Sequence, residues 1–187
     1  MTSDQLAAGD NDLNPIDADG VPSSDSLLHL AIYKAKPNVN AVMHSVHATA
    51  LGVAGRPPSL IVGEVVVYRG PSKSLNTGFP GTETLAQASV DALCDRRAVL
   101  TPHHCMFAVA ETVSEVVHVC ALGERVAQVF IDAESIDGAK EVPEESFQTE
   151  RRTYLDTLRS WPVTHAPSNG DARDFGQCNH RYRPRRG

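Results

Sequence analysis

The chain has 187 residues, room for one domain with a real core, and 41% of them are hydrophobic, an ordinary globular balance. The formal net charge of −6 argues against nucleic acid as the main partner, because a polyanion is held by a basic surface. No apolar run approaches the ~20 residues a membrane-crossing helix needs, and Met1-Thr2-Ser3-Asp4 lacks the basic and apolar regions of a signal peptide, so a cytoplasmic protein with no membrane partner is expected.

Residues 1–20 are rich in Asp, Asn and Gly and read as a polar lead-in. Pro22-Ser23-Ser24-Asp25 offers capping side chains just before Leu27, Leu28, Leu30, Ala31 and Ile32, which recur at helical spacing. That helix is expected to end near Lys36, before Pro37. Asn40 to Val46 reads as a buried strand, and His47 to Ala54 as a short helix. The Val-rich run from Ile61 to Tyr68 reads as another strand, and the Gly- and Pro-containing stretch from Gly70 to Gly81 as a loop. A helix over Thr82 to Cys94 follows, then strands at Ala98 to Thr101 and Met106 to Ala110. A long helix from Thr112 to Ile131 and a polar helix from Glu144 to Ser160 complete the domain. Helices alternating with short strands make the class α/β. The domain is set at residues 21–165, with 166–187 as a flexible tail whose end, Arg181-Tyr182-Arg183-Pro184-Arg185-Arg186, is basic.

Two short segments carry the chemistry. Ala41-Val42-Met43-His44-Ser45-Val46-His47 and Val99-Leu100-Thr101-Pro102-His103-His104 are both apolar runs that end in paired imidazoles. Histidine is the commonest metal-ligating side chain. Imidazoles from two strand ends can supply the protein ligands of an open metal site. Asp25 serves equally well as helix cap or as a carboxylate at the site. His29, one turn further along, reads as structural, and Cys105 as either a site-lining or a packing residue. The cysteines Cys94, Cys105, Cys120 and Cys178 form no C-x-x-C pair and read as buried thiols of a reducing compartment.

Three blocks, in order, resemble the class II aldolase/adducin family, the group of L-fuculose-phosphate aldolase and L-ribulose-5-phosphate 4-epimerase. They are Pro22-Ser23-Ser24-Asp25…His29…Tyr33…Pro37…Ala41-Val42-Met43-His44, then Pro80-Gly81-Thr82-Glu83…Leu85-Ala86, then Val99-Leu100-Thr101-Pro102-His103-His104. The resemblance implies a single α/β/α domain around a central, largely antiparallel sheet, assembled as a homotetramer. It also implies a divalent metal, zinc first and iron second, that polarises a substrate carbonyl and stabilises an enediolate. Carried over, the metal ligands are His44 and His104, with His47 as a substitute third. Asp25 takes the acid/base position, and Ser23 and Ser24 bind substrate.

The chain departs from the family pattern at four places. His44-Ser45-Val46-His47 replaces an H-x-H pair, Asp25 replaces Glu, and Cys105 replaces Gly after the last ligand. The G-N-x-S phosphate loop has no counterpart, so the chain is expected to start after it. The leading expectation is a metal-dependent carbon–carbon lyase acting on a small polar carbonyl compound. A non-haem iron oxygenase on the same fold and a non-catalytic, adducin-like assembly module are the alternatives.

Overall fold

In a computed structural model of the chain, residues 6–16, 21–46, 48–55, 61–63, 73–74, 78–94 and 96–160 are described. Helix α1 (Ser26–Ala35) ends just before Lys36 and Pro37, as the proline demands. Strand β1 (Ala41–Ser45), the short helix α2 (Thr49–Val53) and the two-residue strand β2 (Lys73–Ser74) follow. Helix α3 (Glu83–Leu93) leads into the hairpin of β3 (Ala98–Thr101) and β4 (Cys105–Ala110). Helices α4 (Val113–Ile136) and α5 (Glu144–Ser160) come last. Thr82 caps α3 by accepting from the Leu85 N–H at 3.3 Å, and Thr112 caps α4 by accepting from the Glu115 N–H at 3.2 Å.

The described strands form one sheet in the order β1-β4-β3-β2. The β1–β4 and β3–β4 pairs are antiparallel, and β2–β3 is parallel. The sheet is therefore largely antiparallel, as the resemblance implied. Every residue of β4 is buried, because helices cover both faces. On one face Met106, Ala108 and Ala110 pack with Val116, Val119, Val126 and Phe130 of α4, Leu51 of α2 and Phe147 of α5. On the other face Val99, Phe107 and Val109 pack with Leu28 and Ile32 of α1 and Leu85, Ala92 and Leu93 of α3. Successive strand residues serve opposite layers, so one strand supports two cores and the architecture is α/β/α.

The structure differs from the sequence reading at several points. Strand β2 lies inside the stretch expected to be loop. Helix α4 runs to Ile136, past the expected end at Ile131, and Gly138 at φ +89 follows its end. Of the expected strand Ile61–Tyr68, residues 64–68 lie outside the described residues, and 61–63 carry no strand. His47, Trp161 and the basic tail also lie outside them. Cys105 and Cys120 are buried thiols, but Cys94 is disulfide-bonded, against the expectation of thiols throughout. Spacing alone does not encode pairing. Among the described residues no helix is long and apolar enough to cross a membrane.

Candidate metal centre

The β3–β4 hairpin is built to turn one of its two histidines inward. The His104 N–H donates to the Thr101 carbonyl at 3.1 Å, closing a four-residue turn with Pro102 and His103 at its centre. Proline suits the second position of a type II turn, and the third needs a positive φ. His103 supplies it at +61°, and its side chain stays exposed. His104 is half-buried, and Cys105 starts β4 at 2% exposure.

Sheet register brings the second strand end to the same place. His44 sits opposite Phe107, and Cys105 is two residues before Phe107, so both side chains share a face. Cys105 Sγ lies 3.3 Å from His44 Nδ1. Across the layer, α1 contributes Asp25 and His29. Asp25 Oδ2 is 3.5 Å from His44 Nδ1 and 3.3 Å from His104 Nε2. His29 Nε2 is 2.9 Å from His44 Nε2.

Asp25 occupies the N-cap position of α1, yet its side chain makes no capping hydrogen bond. The carboxylate turns to the two imidazoles instead. Ser23 shapes the turn, its hydroxyl accepting from the Asp25 N–H at 3.3 Å. Gly81, at φ +78, lies against this turn: a Cβ there would come within 3.3 Å of the Ser24 carbonyl oxygen. The Pro80-Gly81-Thr82 block and the serine block are thus in contact. Ser23 and Ser24 are both exposed beside Asp25.

Burial sets the electrostatics. It pushes His29 down to about 4, the field of His44 adding to the effect and that of Asp25 opposing it. Burial also lowers His44, against the attraction of Asp25 and with the repulsion of His104. Burial thus disfavours the charged form of both rings. The Cys105 thiol is pushed up to about 12, mainly by burial and then by Asp25 and Cys120. Asp25 Oδ1 and His104 Nδ1 are buried with no hydrogen-bond partner. Buried polar atoms are usually satisfied, so these mark a place where a further group is received.

A divalent ion fits this donor set. The ligand atoms of His44, His104 and Cys105 all lie within 4.8 Å of one another. Two imidazoles with a thiol or a carboxylate are borderline-to-soft donors, suited to zinc or iron rather than to magnesium or calcium.

Residues 1–131 match the family model of the class II aldolase and adducin N-terminal domain. The chain belongs to this family. Among curated members it is 29% identical over 135 residues to a 5-deoxy-D-ribulose 1-phosphate aldolase of Bacillus thuringiensis serovar kurstaki, covering 71% of this chain and 63% of that one. It is 30% identical over 114 residues to an L-fuculose phosphate aldolase of Escherichia coli O6:H1, covering 59% of this chain and 53% of that one. The chain thus spans less than two thirds of the length of these class II aldolases. An L-fuculose 1-phosphate aldolase structure superposes with a TM-score of 0.77 at 21% identity, over 83% of this chain and 74% of that one. A second such aldolase, from Glaciozyma antarctica, gives 0.70 at 20% identity, over 82% and 61%. At these identities the superpositions establish the class II aldolase fold.

Of the residues singled out in the sequence, Asp25, His44 and His104 come together. Ser23 and Ser24 flank them. Two neighbours carried weaker signals. His29 follows Asp25 by one helical turn, on the same face, but which ring it meets depends on how α1 lies on β1. Cys105 follows His104 directly, and only the register of β4 with β1 brings its sulfur to His44.

Proposed function

We propose that the chain is a metal-dependent carbon–carbon lyase of the class II aldolase type, acting on a small polar carbonyl compound. The observation that carries this reading is the carboxylate of Asp25 set between two imidazoles, 3.5 Å from His44 and 3.3 Å from His104. His44 and His104 would hold a divalent ion, with zinc as the first candidate. Such an ion polarises a carbonyl and stabilises the negative charge that develops on it.

The chain's own residues supply the rest. Asp25 accepts the hydroxyl proton released as the carbon–carbon bond breaks, or returns a proton to the product carbon; both need it within hydrogen-bond reach of substrate. Ser23 and Ser24, exposed at the mouth of the site, offer hydroxyls to polar substrate groups. His29 holds the His44 ring in place. Ketose 1-phosphates are the first substrates to try, since one curated relative is named a 5-deoxy-D-ribulose 1-phosphate aldolase and another an L-fuculose phosphate aldolase. A homo-oligomer, with the tetramer as the expected state, accompanies the reading.

The decisive experiment is cleavage of a panel of ketose 1-phosphates and their unphosphorylated counterparts by zinc-loaded protein, read by release of the three-carbon product. Chelation is expected to abolish turnover and zinc to restore it. Folded, zinc-loaded protein that cleaves none of them, or cleavage indifferent to chelation, overturns the reading. The set of two His and one carboxylate also matches non-haem iron sites. Oxygen consumption with iron, and none of the lyase activity with zinc, would favour the oxygenase alternative.

A further inference from the structure

We infer that Cys105, as a thiolate, is the third protein ligand of the metal held by His44 and His104. This inference rests on the metal-dependent reading above and names a ligand that the sequence pattern assigned to His47.

Geometry is the first support. Tetrahedral bonds of about 2.3 Å to sulfur and 2.1 Å to nitrogen place those two atoms about 3.6 Å apart. Cys105 Sγ and His44 Nδ1 are 3.3 Å apart with no ion between them, so little movement is required. The His104 donor lies within the same 4.8 Å cluster.

The tautomer is the second. His44 Nε2 is taken up by His29 Nε2 at 2.9 Å. When both rings are neutral, one of these nitrogens carries the hydrogen and the other accepts it. If His44 Nε2–H donates to His29, then Nδ1 keeps its lone pair, and Nδ1 is the atom that faces the sulfur. An outer-shell acceptor on the far nitrogen is the usual way a metal-binding imidazole is oriented.

The backbone is the third. Cys105 is the first residue of β4, pinned opposite Thr101 across the hairpin, and His104 is in the turn just before it. Both reach the site from one hairpin, whose turn and register set their positions together. On binding, the thiol proton passes to solvent as the sulfur–metal bond forms, and the divalent ion is taken from solution.

Cobalt(II) titration of the metal-free full chain tests this. Wild-type protein is expected to show a near-ultraviolet sulfur-to-cobalt charge-transfer band that saturates with one ion per chain. Cys105→Ser is expected to lose the band and to bind cobalt more weakly, by more than the roughly 10-fold that even an outer-shell change costs. Cys120→Ser and His47→Ala are expected to keep the band. A wild-type cobalt complex without the band overturns the inference and leaves the lyase reading standing, and needs no variant to fold. So does a band that persists in Cys105→Ser. Absence of any cobalt or zinc binding overturns both.

Discussion

His29 of α1 and His44 of β1 meet through their Nε2 atoms at 2.9 Å, with the rings tilted by 31° and their centres 4.9 Å apart. A helix and a strand from opposite sides of the Pro37 turn are thereby joined at an imidazole that also faces Asp25 and Cys105.

That bond is expected to set metal affinity. His29→Leu removes the hydrogen-bond partner of His44 and leaves a helix-compatible, apolar side chain. Metal affinity is expected to fall by about 10–100-fold, the usual effect of losing an outer-shell partner, with the helical circular dichroism unchanged. Chelator-competition titration measures it, and an unaltered dissociation constant would separate His29 from the site.

Asp25→Asn keeps the shape of the side chain but removes its charge and basicity. Turnover is expected to fall by about 10²–10⁴-fold, the range of general acid–base contributions, with KM changing far less than kcat. Because Asp25 makes no capping hydrogen bond, thermal stability should change by much less than the ~1 kcal/mol that a lost cap costs. A large loss of stability with turnover intact would make Asp25 a helix residue and not a catalytic one.

Metal-free protein is expected to lose stability in mild acid. His29 is held at about 4 against an ordinary 6.5, so between these values the unfolded chain binds a proton that the folded chain does not. Stability is therefore fully present above pH 6.5 and declines as pH falls towards 4. With its partial exposure allowed for, the loss is about 1–2 kcal/mol. The depression of His44 acts in the same direction. Urea midpoints at pH 7, 5.5 and 4.5 should fall in wild type and fall less in His29→Leu. A flat profile would contradict the burial argument.

His103 and His104 are expected to part company. His103 is exposed at φ +61, a conformation that costs an L-residue about 1 kcal/mol or somewhat more. His103→Gly should be neutral to stabilising by up to about 1 kcal/mol, with metal binding intact, whereas His104→Ala should abolish binding. Equal loss of metal in both variants would show that the turn, not one side chain, makes the site.

Phe107 lies directly opposite His44 and is fully buried between the sheet and the α1–α3 layer. Phe107→Ala should destabilise the fold by about 3–5 kcal/mol. A loss below about 1 kcal/mol in urea unfolding would show that this layer is not packed as described.

Local signals were enough for most of the frame. Cap-forming residue types before Leu27 and a proline after Lys36 marked α1, apolar spacing marked α3 and α4, and the β3–β4 hairpin was legible from two apolar runs around Pro102-His103-His104. Those features act within a few residues, so the chain carries them openly. Strand β2 and the disulfide at Cys94 were not legible, since pairing is not encoded in local spacing.

The same division holds at the site. The residue types on offer are plain from the amino-acid order: His44 and His104 at strand ends, and Asp25 at a helix start. That Asp25 turns away from capping, that His29 meets His44 and that Cys105 lies beside them follow from how the elements pack. The reason is register. Pairing His44 with Phe107 places Cys105 on the same face, and a slip of one residue would send that sulfur to the opposite layer.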